Sequence, residues 1–117
     1  LSWFFELRKN ISQKLRHIND EFTFVVEPFM LGNNGVLSNG ILTEILTTAT
    51  YQYVTSGKKN IVIEQMTIYF LQAVQIDETL ILRPRIVRQT RHSAILDYDI
   101  YLKLQLVAKA TITVKIN

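Results

Sequence analysis

The residues with the clearest chemical potential lie in one stretch, Asn34–Glu44, which reads NGVLSNGILTE. A helix beginning at Ser38, a favoured N-cap residue, leaves its first backbone N–H groups without intrahelical acceptors. These donors and the positive end of the helix dipole can receive a carbonyl oxygen or a developing oxyanion. We therefore predict a ligand-binding site made of Asn34, Ser38, Asn39, Gly40 and Ile41.

The carboxylate nearest this helix start is Glu44, one turn into the helix. Glu44 could act as a general base. Alternatively, it pairs with a basic residue or faces solvent, since a carboxylate is mildly favoured near a helix N-terminus. Neither histidine forms a convincing dyad with it, because His17 falls in a predicted amphipathic helix and His92 in a predicted hairpin turn. We expect no metal site and no cofactor.

Composition limits the class of protein. The 117 residues are 48% hydrophobic and 20% charged, which is typical of one globular domain with a single core. The absence of cysteine fits a reducing compartment, so we expect a cytoplasmic protein. No apolar run approaches the roughly 20 residues that cross a bilayer. The formal charge of +3 is spread along the chain, so neither nucleic acid nor a membrane is an expected partner.

The first residues predict an amphipathic helix at about residues 2–18. Its apolar positions recur every three or four residues at Trp3, Leu7, Ile11, Leu15 and Ile18. We expect this stripe to pack on the domain or on a partner subunit, with an interfacial membrane helix as the alternative. Because the first residue is not methionine, we expect a piece of a longer protein, with a linker helix at 1–20 and a domain at 21–117.

A longer, central helix is predicted at about residues 38–56, ending where Gly57 can adopt the left-handed C′ conformation. One face is expected to form core and carries Ile41, Leu42, Ile45, Leu46, Ala49 and Tyr53. The opposite face has small and polar residues, which would let a ligand or a second subunit approach. The five threonines between Thr43 and Thr55 lower the intrinsic helicity of this segment, so packing against a sheet must hold this helix.

Extended segments account for the rest of the chain. Glu21–Glu27 predicts a short strand before the central helix, and four strands follow that helix. The first of the four, residues 61–72, is apolar on both faces, which suits a subunit interface. One predicted face carries Ile63, Tyr69 and Leu71, and the other carries Val62, Met66, Ile68 and Phe70.

The last strands allow a prediction of register. Every second residue from 94 to 116 is apolar, and one strand of that length would not fit a domain of this size. The segment must therefore fold back with an odd number of loop residues. A three-residue loop at 103–105 places Asp99 opposite Lys109, and one at 91–93 places Arg85 opposite Asp99.

Three stretches in this order resemble the hotdog-fold domains of the thioesterase superfamily. They are SNGIL at 38–42, MTIYFLQAV at 66–74 and LVAKA at 106–110. The resemblance covers residues 25–116 and implies an α+β hotdog fold, a five-stranded antiparallel sheet wrapped around one long helix, with two subunits joining their sheets. The segments PFML at 28–31 and VQI at 74–76 look most like the C-terminal hotdog module of bacterial proteins that also carry CBS and DRTGG domains.

The resemblance implies an acyl thioester, usually acyl-CoA, bound at the dimer interface beside the helix N-terminus. Catalysis in this family also needs a helix carboxylate, and the matching position, seven residues after Gly40, is Thr47. The histidine that often precedes the family's paired glycines is replaced by Ser38, and the first glycine by Asn39. Glu44 and Thr47 are the remaining catalytic candidates.

Three functions therefore compete. The first is a ligand-sensing module that binds an acyl thioester without turning it over and feeds upstream domains of the same polypeptide. The second is an acyl-CoA thioesterase with Glu44 as general base. The third is dimerisation without a ligand. The expected assembly is a homodimer, or a tetramer.

Overall fold

The computed structural model describes residues 2–55 and 60–117, which form two helices and one antiparallel sheet. The helices are α1 (Ser2–Lys14) and α2 (Asn39–Thr55), and a 3₁₀ turn lies between them at Pro28–Met30. The strands are β1 (Arg16–Ile18), β2 (Glu21–Val25), β3 (Ile61–Phe70), β4 (Thr79–Gln89), β5 (Ser93–Leu102) and β6 (Gln105–Ile116). The strand order is β1-β2-β4-β5-β6-β3. The α+β class is confirmed.

The core forms between α2 and one face of the sheet. The predicted apolar face of α2 is confirmed, since Leu42, Ile45, Leu46 and Ala49 are buried, and Ile41 and Tyr53 are half-buried against the same core. The sheet contributes alternate residues of β5 and β6, including Leu96, Tyr98, Ile100, Ala110, Ile112 and Val114. The predicted helix end at Gly57 lies outside the described residues. No helix in the described part of the chain is long and apolar enough to cross a membrane.

The threonines of α2 satisfy their hydroxyl groups within the helix. Thr43, Thr47 and Thr48 each donate to the carbonyl oxygen four residues earlier, at 3.0, 2.9 and 2.9 Å. Such bonds add little helical stability. Burial of the apolar face against the sheet is therefore what holds this threonine-rich helix.

The N-terminal helix is shorter than predicted, and a sixth strand follows it. α1 ends at Lys14, and Arg16–Ile18 pairs with β2 instead of continuing the helix. The chain reverses through Asn19 and Asp20, whose φ angles of 52° and 62° suit a two-residue hairpin turn. Because Asn and Asp tolerate left-handed backbone, this turn overrides the helical periodicity. The predicted N-terminal helix is therefore present but ends four residues early, and the sheet has six strands instead of the predicted five. The β1–β2 hairpin spans residue 20, where the boundary between linker helix and domain was predicted.

The predicted pairing of Asp99 with Lys109 is confirmed, although by another route. Those residues are opposite each other, with 2.9 Å between Lys109 Nζ and Asp99 Oδ1. The loop, however, has two residues, because Leu102 pairs with Gln105. A bulge at Val107 supplies the odd residue that the alternation requires. The predicted pairing of Asp99 with Lys109 is therefore right, although the predicted three-residue loop is wrong.

The predicted pairing of Arg85 with Asp99 is wrong. Arg85 lies opposite Asp97, at 2.9 Å between Nη2 and Oδ2, and Arg83 lies opposite Asp99. The turn between β4 and β5 is shorter than predicted, which shifts the register of these strands by one residue. A bulge at Val87 shifts the register by one more residue. Two such shifts preserve which side chains face the core, so the burial pattern does not reveal them.

A bulge also changes the faces of β3. The irregularity at Glu64 reverses the alternation, so Ile63 shares the inner face with Met66, Ile68 and Phe70, while Val62 and Tyr69 face outward. The predicted grouping of Ile63 with Tyr69 was therefore wrong. β3 is an edge strand, and α2 leaves Met66 and Ile68 only half-buried.

A buried polar pair joins α2 to β5 and supplies a stability prediction. Thr50 and Tyr98 are both fully buried, with 3.0 Å between their hydroxyl oxygens. Burial raises the pKa of Tyr98 above its ordinary value, although the bond to Thr50 opposes this. We expect Thr50→Val to lower the free energy of unfolding by about 1–3 kcal/mol, because it leaves the Tyr98 hydroxyl unpaired.

The variants of Thr50 and Tyr98 are expected to differ in how much stability they lose. Tyr98→Phe is expected to cost less than Thr50→Val, because Thr50 can instead donate to the carbonyl of Leu46, as neighbouring threonines do. The double variant is expected to lose less stability than the sum of the single variants. Urea unfolding measures all three, and additive losses would contradict a coupled pair.

Candidate functional site

The loop before α2 is a closed structure that presents the helix start. Leu31 and Leu37 form an isolated antiparallel bridge, and Gly32 N–H donates to the carbonyl of Val36 at 2.9 Å. Gly35 has a φ of 77°, in the left-handed region that favours glycine. Asn34 Oδ1 accepts a hydrogen bond from Val36 N–H at 3.4 Å, so this side chain shapes the loop.

The start of α2 is fixed by backbone hydrogen bonds on both sides. Ser38 N–H donates to the carbonyl of Met30 at 2.8 Å, and Leu37 N–H donates to the carbonyl of Val74 at 2.8 Å. The first helical bond runs from Leu42 N–H to the carbonyl of Ser38, at 3.1 Å. Ser38 is therefore the N-cap, as predicted, and the N–H groups of residues 39–41 have no acceptor within the helix.

A cavity of about 610 Å³ opens at this helix start. Its walls are the loop, the first turn of α2, the segment Phe70–Val74, and the neighbouring ends of β4, β5 and β6. Four of the predicted ligand-binding residues line it, namely Asn34, Ser38, Asn39 and Gly40. Ile41 does not, because its side chain packs on the core. The structure thus brings four of the five predicted residues together at one opening.

The cavity combines a polar mouth with an apolar interior. Polar side chains at the mouth are Asn33, Asn34, Ser38, Asn39 and Gln72, and the buried interior is lined by Leu42, Leu80, Ile100, Val107 and Ala108. Within the described chain, none of the lining side chains is ionisable. Such a site suits a ligand with a neutral polar group at the helix N-terminus and an apolar group below it.

The two catalytic candidates lie outside the lining of this cavity. Arg8 of α1 donates from Nε to Glu44 Oε2 at 3.2 Å, which is the pairing proposed as the alternative to a general base. The hydroxyl of Thr47 donates to the carbonyl of Thr43 at 2.9 Å. A catalytic role for Glu44 or Thr47 therefore remains a prediction.

The sequence-based prediction of the site missed the wall opposite the helix. Leu71 and Gln72 N–H groups both donate to the carbonyl of Val107, at 2.9 and 3.2 Å, so the chain leaves β3 at the bulge of β6. The amide of Gln105 also donates to Gln72 Oε1. The stretch MTIYFLQAV shows a strand running into a polar residue, but nothing in its spacing places Gln72 beside a helix start.

The fold and this site match a known family. The model of the Thioesterase superfamily matches residues 34–109, and the chain belongs to that superfamily. The chain is 31% identical over 96 residues to the uncharacterized protein YtoI of Bacillus subtilis (strain 168). That match covers 81% of this chain and 22% of YtoI, so the chain spans about a fifth of the length of this curated relative.

Solved structures confirm the hotdog fold. A hypothetical thioesterase of Streptococcus pneumoniae TIGR4, solved with coenzyme A, matches with a TM-score of 0.79 at 25% identity, covering 88% of this chain and 84% of that protein. The smu.793 protein of Streptococcus mutans UA159, bound to acetyl CoA, matches with a TM-score of 0.78 at 22% identity, covering 89% and 87%. The second likeness concerns the fold alone.

Proposed function

We propose that this domain binds an acyl thioester of the acyl-CoA class at the N-terminus of α2 and does not hydrolyse it. The observation that carries this proposal is the cavity itself, which joins free helix N–H groups to an apolar interior and has no ionisable side chain in its described lining. The coenzyme A in the structure from Streptococcus pneumoniae supports the same class of ligand.

The helix start suits the thioester carbonyl. The carbonyl oxygen is a neutral acceptor, and the N–H groups of Asn39 and Gly40 lie at the cavity with the positive end of the helix dipole behind them. Gly40 has no side chain to cover these donors. A carbonyl can therefore approach the helix start closely, with its acyl group directed into the apolar interior.

The proposal that the thioester is not hydrolysed rests on the groups available for catalysis. Hydrolysis needs a group that activates water or attacks the carbonyl. Glu44 is paired with Arg8, and the hydroxyl of Thr47 already donates a hydrogen bond to a backbone carbonyl of the helix. The alternative function is an acyl-CoA thioesterase with Glu44 as general base. Membership of the Thioesterase superfamily supports this alternative, and experiment can distinguish the two functions.

The proposed assembly uses the edge of the sheet at β3. This edge exposes apolar side chains, since Val62, Tyr69, Phe70 and Leu71 are 49%, 62%, 44% and 58% exposed. Met66 and Ile68 are half-buried on the face that α2 only partly covers. We propose that β3 joins β3 of a second copy, which would extend the sheet and cover these residues.

The proposed regulatory role within a longer polypeptide rests on the resemblance to modules of CBS and DRTGG proteins. Binding of an acyl thioester would then be the signal, and the upstream domains would respond to it. Both the sensing role and the dimer belong to the proposal.

The experiment that separates binding from catalysis measures two quantities. Butyryl-CoA is expected to raise the melting temperature, while release of free thiol stays at the background of buffer. Glu44→Ala is expected to leave both results unchanged, apart from a stability loss of about 1 kcal/mol, because the Glu44 side chain is 18% exposed while that of its partner Arg8 is 56% exposed. Glu6→Ala, an exposed carboxylate on α1, is the matched control.

Other outcomes select the other functions. Hydrolysis that Glu44→Ala abolishes and Glu6→Ala preserves would establish the thioesterase. No thermal shift across a panel of acyl-CoA esters would leave dimerisation as the function.

A further inference from the structure

We infer that the acyl group accepted by this site is short, and that Leu42 sets the limit. The inference rests on the proposed function and concerns the depth of the same cavity. On α2 the lining ends at Leu42, which is 3% exposed. The next residues of that helix face, Ile45 and Leu46, are buried and do not line the cavity.

The sheet closes the cavity at the same level. Ile100 and Ala108 lie opposite each other on β5 and β6, and both line the cavity. The next inward-facing pair, Tyr98 and Ala110, lies two residues deeper, or about 7 Å along the strands, and does not line it. Tyr98 is fully buried and is fixed there by its hydrogen bond to Thr50. The large Tyr98 side chain therefore fills the space that a longer acyl chain would need.

The distance from the donors to this floor is small. Gly40 and Leu42 are separated by about 3 Å along the helix axis. An acyl group whose carbonyl rests on the N–H of Gly40 therefore meets the Leu42 side chain within a few carbon atoms. A longer chain must displace Leu42 or turn outward across the exposed residues Phe70 and Leu71.

This geometry predicts a rise and then a fall in affinity with chain length. Each methylene buried in an apolar site improves affinity by roughly fourfold. That gain is available from acetyl to butyryl, where the cavity has room. Beyond the floor, a longer chain either forces the packed core apart or turns outward and draws its first methylenes out of the apolar interior, and both lower the affinity.

The test compares acetyl-, butyryl-, octanoyl- and dodecanoyl-CoA on the wild type, Leu42→Ala and Leu46→Ala by calorimetric titration. The wild type is expected to bind butyryl-CoA at least roughly tenfold more tightly than octanoyl-CoA. Leu42→Ala opens the floor and is expected to improve octanoyl-CoA binding by roughly tenfold. Leu46→Ala removes a buried leucine from the same helix outside the cavity, and is expected to keep the wild-type order.

A milder variant covers the case in which Leu42→Ala does not fold, since loss of a buried leucine is costly. Leu42→Val is expected to shift the preferred length in the same direction by a smaller factor. Dodecanoyl-CoA binding the wild type as tightly as butyryl-CoA would overturn the length limit and leave the proposed function intact. Failure of every ester to bind the folded wild type would instead overturn the proposed function. An octanoyl gain in Leu46→Ala equal to that in Leu42→Ala would overturn the role of Leu42.

Discussion

Replacement of Gly40 by leucine is expected to abolish stabilisation by butyryl-CoA without loss of the fold. Gly40 lines the cavity, and a Cβ added there meets only Ser38 Oγ, at the ordinary contact distance of 3.7 Å. A leucine side chain would extend from that Cβ over the helix N–H donors. We expect at least a hundredfold loss of affinity, about 2.7 kcal/mol, in a titration.

The stability of the free protein provides the control for this variant. Leucine forms helix better than glycine, so Gly40→Leu is expected to raise the free energy of unfolding by up to about 1 kcal/mol. Gly40→Ala tests the effect of size, because it brings the same backbone change with little obstruction. Unaltered butyryl-CoA binding by folded Gly40→Leu would show that the ligand does not use this helix start.

Aspartate at both Met66 and Ile68 is expected to convert the proposed dimer into a monomer. Both side chains are half-buried on the inner face of edge strand β3, and β3 pairing would bury them further. Bringing unpaired like charges into such an interface costs several kcal/mol. We expect the dissociation constant of the dimer to rise more than a hundredfold in sedimentation velocity experiments.

The matched control places two aspartates on another strand. Ile86 and Val87 of β4 are 39% and 54% exposed, and β4 lies between β2 and β5, away from the β3 edge. Ile86→Asp with Val87→Asp is expected to remain a dimer. Circular dichroism verifies that each variant is folded. A monomeric wild type, or a Met66 and Ile68 variant that stays dimeric, would refute pairing through β3.

The parts of the fold that were predicted correctly have strong local signals. The apolar face of α2 follows from a sustained helical period after the N-cap Ser38. The Asp99–Lys109 register follows from alternation over a long segment. Four of the five predicted binding residues line the cavity, because the prediction was based on the helix start, where any helix has unpaired N–H groups.

The parts that were missed depend on interactions between distant segments or on single extra residues. Bulges at Glu64, Val87 and Val107 carry no glycine, yet the first reverses a face and the last lies in one wall of the cavity. The three residues of β1 are too few to show a period. The Arg8–Glu44 pair depends on how α1 packs on α2, which no spacing in the chain specifies.

Calorimetric titration of the wild type with butyryl-CoA distinguishes binding from hydrolysis in one experiment, since heat reports both binding and turnover. We expect a saturable isotherm with one ligand per protomer and a return to baseline after every injection. A sustained heat after each injection would show turnover and contradict the absence of hydrolysis. No measurable heat at any of several temperatures would contradict binding.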